Sequence, residues 1–75
     1  MAKLVNPSIR RGQYYKIPTR GNTLLVEVID ARTSYIACRH VRTPEHCFTM
    51  SRYKIMTDGI RVAKKDLPLI LLEIL

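Results

Sequence analysis

TLLVEVID, residues 23–30, is the stretch on which the fold turns. Leu24, Val26 and Val28 alternate with Leu25, Glu27 and Ile29. Strict alternation puts the first three on one face of a strand and the second three on the other. Glu27 marks the wetter face. No helical stripe accounts for this pattern, because a helix repeats every three to four residues.

Working outward, GQYYKIP (residues 12–18) reads as a preceding strand, with Pro18 closing it and TRGN (19–22) as the turn. Asp30 to Ser34 form a polar connection. SYIACRHVR (34–42) and CFTMSRY (47–53) read as a third and fourth strand, joined by Thr43-Pro44-Glu45-His46 with proline in the second turn position. In KIMTDGIRV, Asp58-Gly59 between β-branched flanks predicts a hairpin turn of the primed type. Ile55 and Met56 are then expected to pair with Ile60 and Val62. Asp66 is placed to cap a short C-terminal helix with Pro68 in its first turn. LPLILLEIL is apolar on nearly all sides, and a strand remains open for it.

These elements have a family likeness. Gly12-x-Tyr14-Tyr15-x-Ile17, then VEVID after a turn, then YIACR, then a polar turn before FTM, resembles the strand rhythm of the small barrels of the Src-homology-3-like, Tudor and KOW class. The resemblance covers residues 12–56. It implies a small antiparallel barrel with a habit of binding extended ligands, and it names no ligand. The expected fold is all-β, a five- to six-stranded antiparallel Src-homology-3-like barrel with a short C-terminal helix. The expected organisation is a flexible basic arm (1–11), the barrel domain (12–66) and an apolar C-terminal segment (67–75).

Size and composition narrow the function classes. Seventy-five residues, 47% apolar and 25% charged, suit one folded domain with a small core. The opening MAKLVNPSIRRG lacks an apolar run, so a secretory leader is not expected. The run 67–75 is too short to span a bilayer, which takes about 20 residues. Two cysteines make no disulfide framework, and a cytoplasmic chain with reduced thiols is expected.

The net charge is +7, and it is unevenly spread. Residues 1–20 carry five cations and no acid; residues 35–56 carry a net +3. Eight of the 13 basic residues are arginine, the better partner for phosphate and for stacking on bases. An anionic partner follows, with nucleic acid, DNA or RNA, as the leading class. The candidate binding residues are Arg10, Arg11, Tyr14, Lys16, Arg20, Tyr35, Arg39, Arg42, Arg52 and Lys54. Tyr35 is expected beside Lys54 across the hairpin, and Arg39 beside Met50. A sheet face that mixes tyrosine with guanidinium suits a single strand. Tyrosine also fits a barrel rim, so two of the four fit the core equally well.

Catalysis and metal binding fare worse. Cys38, His40, His46 and Cys47 have the residue types of a zinc site. With residues 43–46 as the loop, Arg42 faces Cys47 and Cys38 faces Ser51. The two thiols are then about 13 Å apart along the ladder, beyond the roughly 7 Å a disulfide tolerates. Cys38 reads as a core residue, and both histidines as solvated. Cys38 and His40 share a face, but no acid orients them. The three glycines stand apart, which leaves no phosphate cradle. A non-catalytic regulator or accessory factor without cofactor or metal is expected. A protein-interaction module, such as a phage- or plasmid-type inhibitor docking on a host enzyme, is the alternative. The oily terminus predicts a homodimer.

Overall fold

The computed structural model describes residues 9–73. Five strands form one open antiparallel sheet in the order β4-β3-β2-β1-β5. They are β1 (Tyr14–Thr19), β2 (Asn22–Asp30), β3 (Tyr35–His40), β4 (Cys47–Ser51) and β5 (Ile60–Val62). Helix α1 (Arg52–Asp58) joins β4 to β5, and a 3₁₀ turn (Lys64–Asp66) leads into helix α2 (Leu67–Glu73). The chain is mostly β, as expected, and the last segment is helical through Glu73. No described helix is long and apolar enough to cross a membrane.

Alternation builds the core as the sequence suggests. Tyr15 and Ile17 of β1, Val26 and Val28 of β2, and Ile36 and Cys38 of β3 bury one face. Pairing lines them up, with Tyr15 opposite Val26 and Val28 opposite Cys38. Phe48 and Met50 of β4 extend the layer opposite Cys38 and Ile36. Ile55 of α1 closes it. A bulge between Val28 and Asp30 shifts the register of β2 against β3, which bends the strand there. Ile9 is buried in the same cluster, so the packed unit begins at Ile9 and not at Gly12. The rest of the expected arm, residues 1–8, lies outside the described residues, as do residues 74 and 75.

Two expectations are corrected. The first concerns Asp58-Gly59, which is no hairpin turn. Residues 52–58 are helical, and Gly59 has φ −77°, not a positive value. Ser51 caps the helix, its hydroxyl accepting the N–H of Lys54 at 3.1 Å. Lys54 pairs with Asp58 one turn on. Gly59 ends the helix by donating its N–H to Ile55 O at 2.8 Å. A Cβ there would stand 2.5 Å from that same oxygen. Glycine is therefore required for close approach rather than for a left-handed backbone. Only Ile60–Val62 pair, and their partner is β1.

The second concerns the register of β3 and β4. The proline turn forms, with the N–H of His46 donating to Thr43 O at 2.8 Å. The ladder starts further out. Arg39, not Arg42, faces Cys47, and Cys38 faces Phe48, not Ser51. Tyr35 faces Ser51, and Lys54 lies on α1, away from its expected partner. Burial sets this register, because it brings Ile36 against Met50 and Cys38 against Phe48 on the core side.

Helix α2 keeps part of its apolar side uncovered. Six of its seven residues are apolar, Leu67, Ile70 and Leu71 are half-buried, and Leu69 and Leu72 are 64% and 68% exposed.

Candidate nucleic-acid interface

Nine of the ten candidate residues fall in three places rather than on one patch, and Lys54 lies on α1. The sheet face opposite the main cluster carries Tyr14, Lys16 and Arg39, and it also buries Leu25 and Val62. There a row runs Val62, Tyr14, Glu27, Arg39, Cys47 across all five strands. Arg39 donates from Nε and Nη2 to Glu27 Oε1 at 3.1 and 2.9 Å. Its charge is thus balanced within the sheet. Tyr14 and Lys16 are half-buried.

Arg20 and Arg42 lie at one end of the sheet. Arg20 is in the β1–β2 turn, where Gly21 takes φ +75°. Arg42 is in the β3–β4 loop, beside the start of β2, and lines a shallow concavity with Asn22, Thr23 and His40.

Arg10, Arg11, Tyr35 and Arg52 lie at the other end, separated from the first by the length of β2. Eight strand steps span up to about 27 Å. Here the chain is tightly tied. Gly12, at φ +90°, donates its N–H to Val28 O at 2.9 Å, and Gln13 donates to Arg10 O at 3.2 Å. The Gln13 Oε1 accepts from the Arg10 N–H and from the Tyr15 hydroxyl. Arg10 and Arg11 project into solvent from this turn. With Arg32, Asp30, Ile29 and Ala31 they line a groove of about 460 Å³. Asp30 is the one acid among its lining residues, and Arg32 already engages it at 2.8 Å. The Arg32 hydrogen bond holds the Asp30 carboxyl below its ordinary range, and Asp30 in turn raises the Arg32 guanidinium.

Arg52 has a structural role at this end. Its backbone N–H donates to Ser34 O at 2.8 Å, and its Nη2 donates to Ala31 O and Thr33 O. One arginine therefore pins the β2–β3 connection to the start of α1. Lys54 is engaged by Asp58, which lowers the Asp58 pKa.

Reasoning from sequence missed Arg32 and Tyr53. Tyr53 is 76% exposed on the first turn of α1, and Tyr35 is 64% exposed across from it. Both line a shallow depression of about 370 Å³ with Ser34, Ser51, Arg52 and Met56. The signal for Tyr53 was present in Ser51, three residues before Lys54 and with Asp58 four further on, which is helix-start chemistry. Of the other tyrosines, Tyr15 is buried. Burial raises its pKa, partly opposed by Arg61.

The cysteines and histidines separate. Cys38 is fully buried, and desolvation pushes its thiol up to about 11. Cys47 is exposed on the opposite face. His40 is half-buried, its ring 4.7 Å from Phe48 and 6.3 Å from His46 between centroids, while His46 is exposed. His40 is thus a partner of the core rim, not the solvated group expected. Among the described residues no group of three His, Cys, Asp or Glu is arranged to hold a metal ion.

Comparison with protein-family models, with curated proteins and with solved structures found no match. The class of the protein therefore rests on its own architecture: a small, mostly β domain with a cationic groove at one end of an open sheet.

Proposed function

We propose that this chain is a non-catalytic nucleic-acid-binding module acting as a regulator or accessory factor. One observation carries the reading. At the β2–β3 end, Arg10, Arg11 and Arg32 surround a groove whose single acid is already paired, and two exposed tyrosines stand just beyond it. Such a surface offers phosphate contacts and faces for base stacking together. The strand order, with β1 serving both β2 and β5, suits a strongly coiled sheet of the Src-homology-3-like kind. Free thiols at Cys38 and Cys47 fit a reducing, cytoplasmic setting. A homodimer joined through α2 would cover Leu69 and Leu72.

Titration of labelled oligonucleotides at two salt concentrations tests the reading. Phosphate contacts require affinity to fall steeply as salt rises. Arg10→Ala with Arg11→Ala is expected to weaken binding and flatten that slope. Absence of binding at low salt would remove the reading.

The exposed apolar side of α2 favours a second reading, a protein-interaction module docking on a host enzyme. It separates from the first by what Leu72→Asp does. Loss of partner capture with oligonucleotide binding intact supports docking.

A further inference from the structure

The nucleic-acid reading leaves open which form of nucleic acid the chain takes, and the depression between Tyr35 and Tyr53 bears on that. Neither ring is stacked on another: the ring contacts of the described residues are those of His40 with His46 and Phe48. Large exposed aromatic rings in solvent cost hydration free energy unless something covers them.

The frame beneath them is fixed although the rings are not. Tyr35 starts β3 opposite Ser51, and its N–H donates to Thr33 Oγ1, which in turn donates to Tyr35 O at 2.7 Å. Tyr53 stands on the turn of α1 capped by Ser51. Arg52 bonds the two supports together through Ser34, Thr33 and Ala31. The depression is thus a shelf with a preorganised backbone, so binding has only the two exposed rings left to order.

Its neighbour decides the occupant. The connection 31–34 gives Ala31 and Arg32 to the cationic groove and Ser34 to the shelf. Arg32 and Tyr35 are three positions apart, so their Cα atoms are within about 11 Å. A ligand on the shelf therefore lies beside a groove of three arginines and one acid, in which Arg10 and Arg11 leave a surplus of positive charge that selects for an anion. A flat apolar group flanked by anions is the description of a nucleotide. In a duplex the base faces are occupied by one another, and a surface tyrosine cannot reach them. A single strand presents them freely.

Resting on the nucleic-acid reading, we propose that the Tyr35–Tyr53 shelf takes an unpaired base of a single strand whose adjoining phosphates lie on Arg10 and Arg11. The chain accordingly distinguishes single strands from duplexes, and Arg52 acts as the positioning residue of the shelf.

Fluorescence anisotropy with a short oligothymidylate and with a mixed-sequence duplex of equal length tests this. Tyr35→Leu with Tyr53→Leu is expected to weaken the single strand about ten-fold or more and to move the duplex by less than about two-fold. Tyr35→Phe with Tyr53→Phe keeps the rings and should bind as the parent does. The chain has four tyrosines and no tryptophan, so quenching of tyrosine emission by the oligothymidylate is a second readout. It should survive Tyr14→Phe and be lost in the leucine pair. Circular dichroism establishes that each variant is folded, and the phenylalanine pair keeps the test open if the leucine pair is not. Equal affinity for both probes, unaffected by the leucine pair, overturns the shelf and leaves the nucleic-acid reading standing. Failure of both probes to bind at low salt removes that reading and the shelf with it. Binding of both probes that falls with Arg10→Ala/Arg11→Ala alone returns the shelf to a protein partner.

Discussion

Helices α1 and α2 have the same length and opposite fates. The first, RYKIMTD, is mostly polar, yet it buries Ile55 to 1% exposure and completes the core. The second, LPLILLE, is apolar except at its last residue and buries none of its side chains. Hydrophobic content does not decide burial here; the neighbour does. Helix α1 is held at both ends by strands, β4 before it and β5 after it, so Ile55 has nowhere to go but onto Tyr15 and Ile17's layer. Helix α2 follows β5 through a 3₁₀ turn, and no described strand pairs beyond it. One anchored apolar residue contributes more to this fold than six loosely attached ones.

The contrast breaks first at Ile55. Ile55→Ala removes the side chain that closes the core and should cost about 2–5 kcal/mol. Urea unfolding measures it, and a loss below that range would mean α1 lies on the sheet without sealing it. Gly59→Ala is next. Its methyl group would press on Ile55 O, a backbone atom that cannot swing away. The expected cost is about 1–3 kcal/mol, typical of overpacking. A neutral result would show that the end of α1 shifts freely, and the comparison with α2 would lose its basis.

Cys38 reports on the same core through pH. Its thiol titrates near 9.0 when free and near 11 when buried. Between those values the unfolded chain gives up a proton that the folded chain keeps. The unfolded state is therefore favoured as pH rises, by up to about 1.4 kcal/mol per pH unit. Cys38→Val should flatten the fall in stability between pH 9 and 11 relative to the parent. In the folded protein Cys47, which is exposed, should react with a thiol reagent at once, and Cys38 only on unfolding.

What the sequence could convey follows the same division. Alternation over 23–30 and the paired YY-x-I of β1 placed the strands and most of the core, because a period of two with one buried face leaves few registers. The β3–β4 register slipped by three because the proline turn was legible and the loop around it was not. Asp58-Gly59 misled for a definite reason. The dipeptide that favours a primed turn also ends a helix, and Ser51, Lys54 and Asp58 together select the helix. The proposed binding site was half legible. Arginine and tyrosine content is the basis of the proposed ligand class, and Arg10, Arg11 and Tyr35 lie at one end. Their grouping, and the engagement of Arg39, Arg52 and Lys54 in internal bonds, depends on which strands meet, and no local pattern encodes it.

The smallest expected effect on stability tests the other half of the comparison. An isolated helix of seven residues is well below the length at which helices persist in water. Leu67, Ile70 and Leu71 of α2 are only half-buried and Leu69 and Leu72 are exposed, so cover from outside would help to keep the helix formed. Leu69→Ser with Leu72→Ser should therefore change the unfolding free energy of the single chain by no more than about 0.5 kcal/mol. If the proposed dimer forms through α2, the same pair should shift the sedimentation of the protein from dimer to monomer. If the double variant instead lost stability on the scale expected of Ile55→Ala, α2 would be part of the core's support. The two helices would then differ in appearance and not in role.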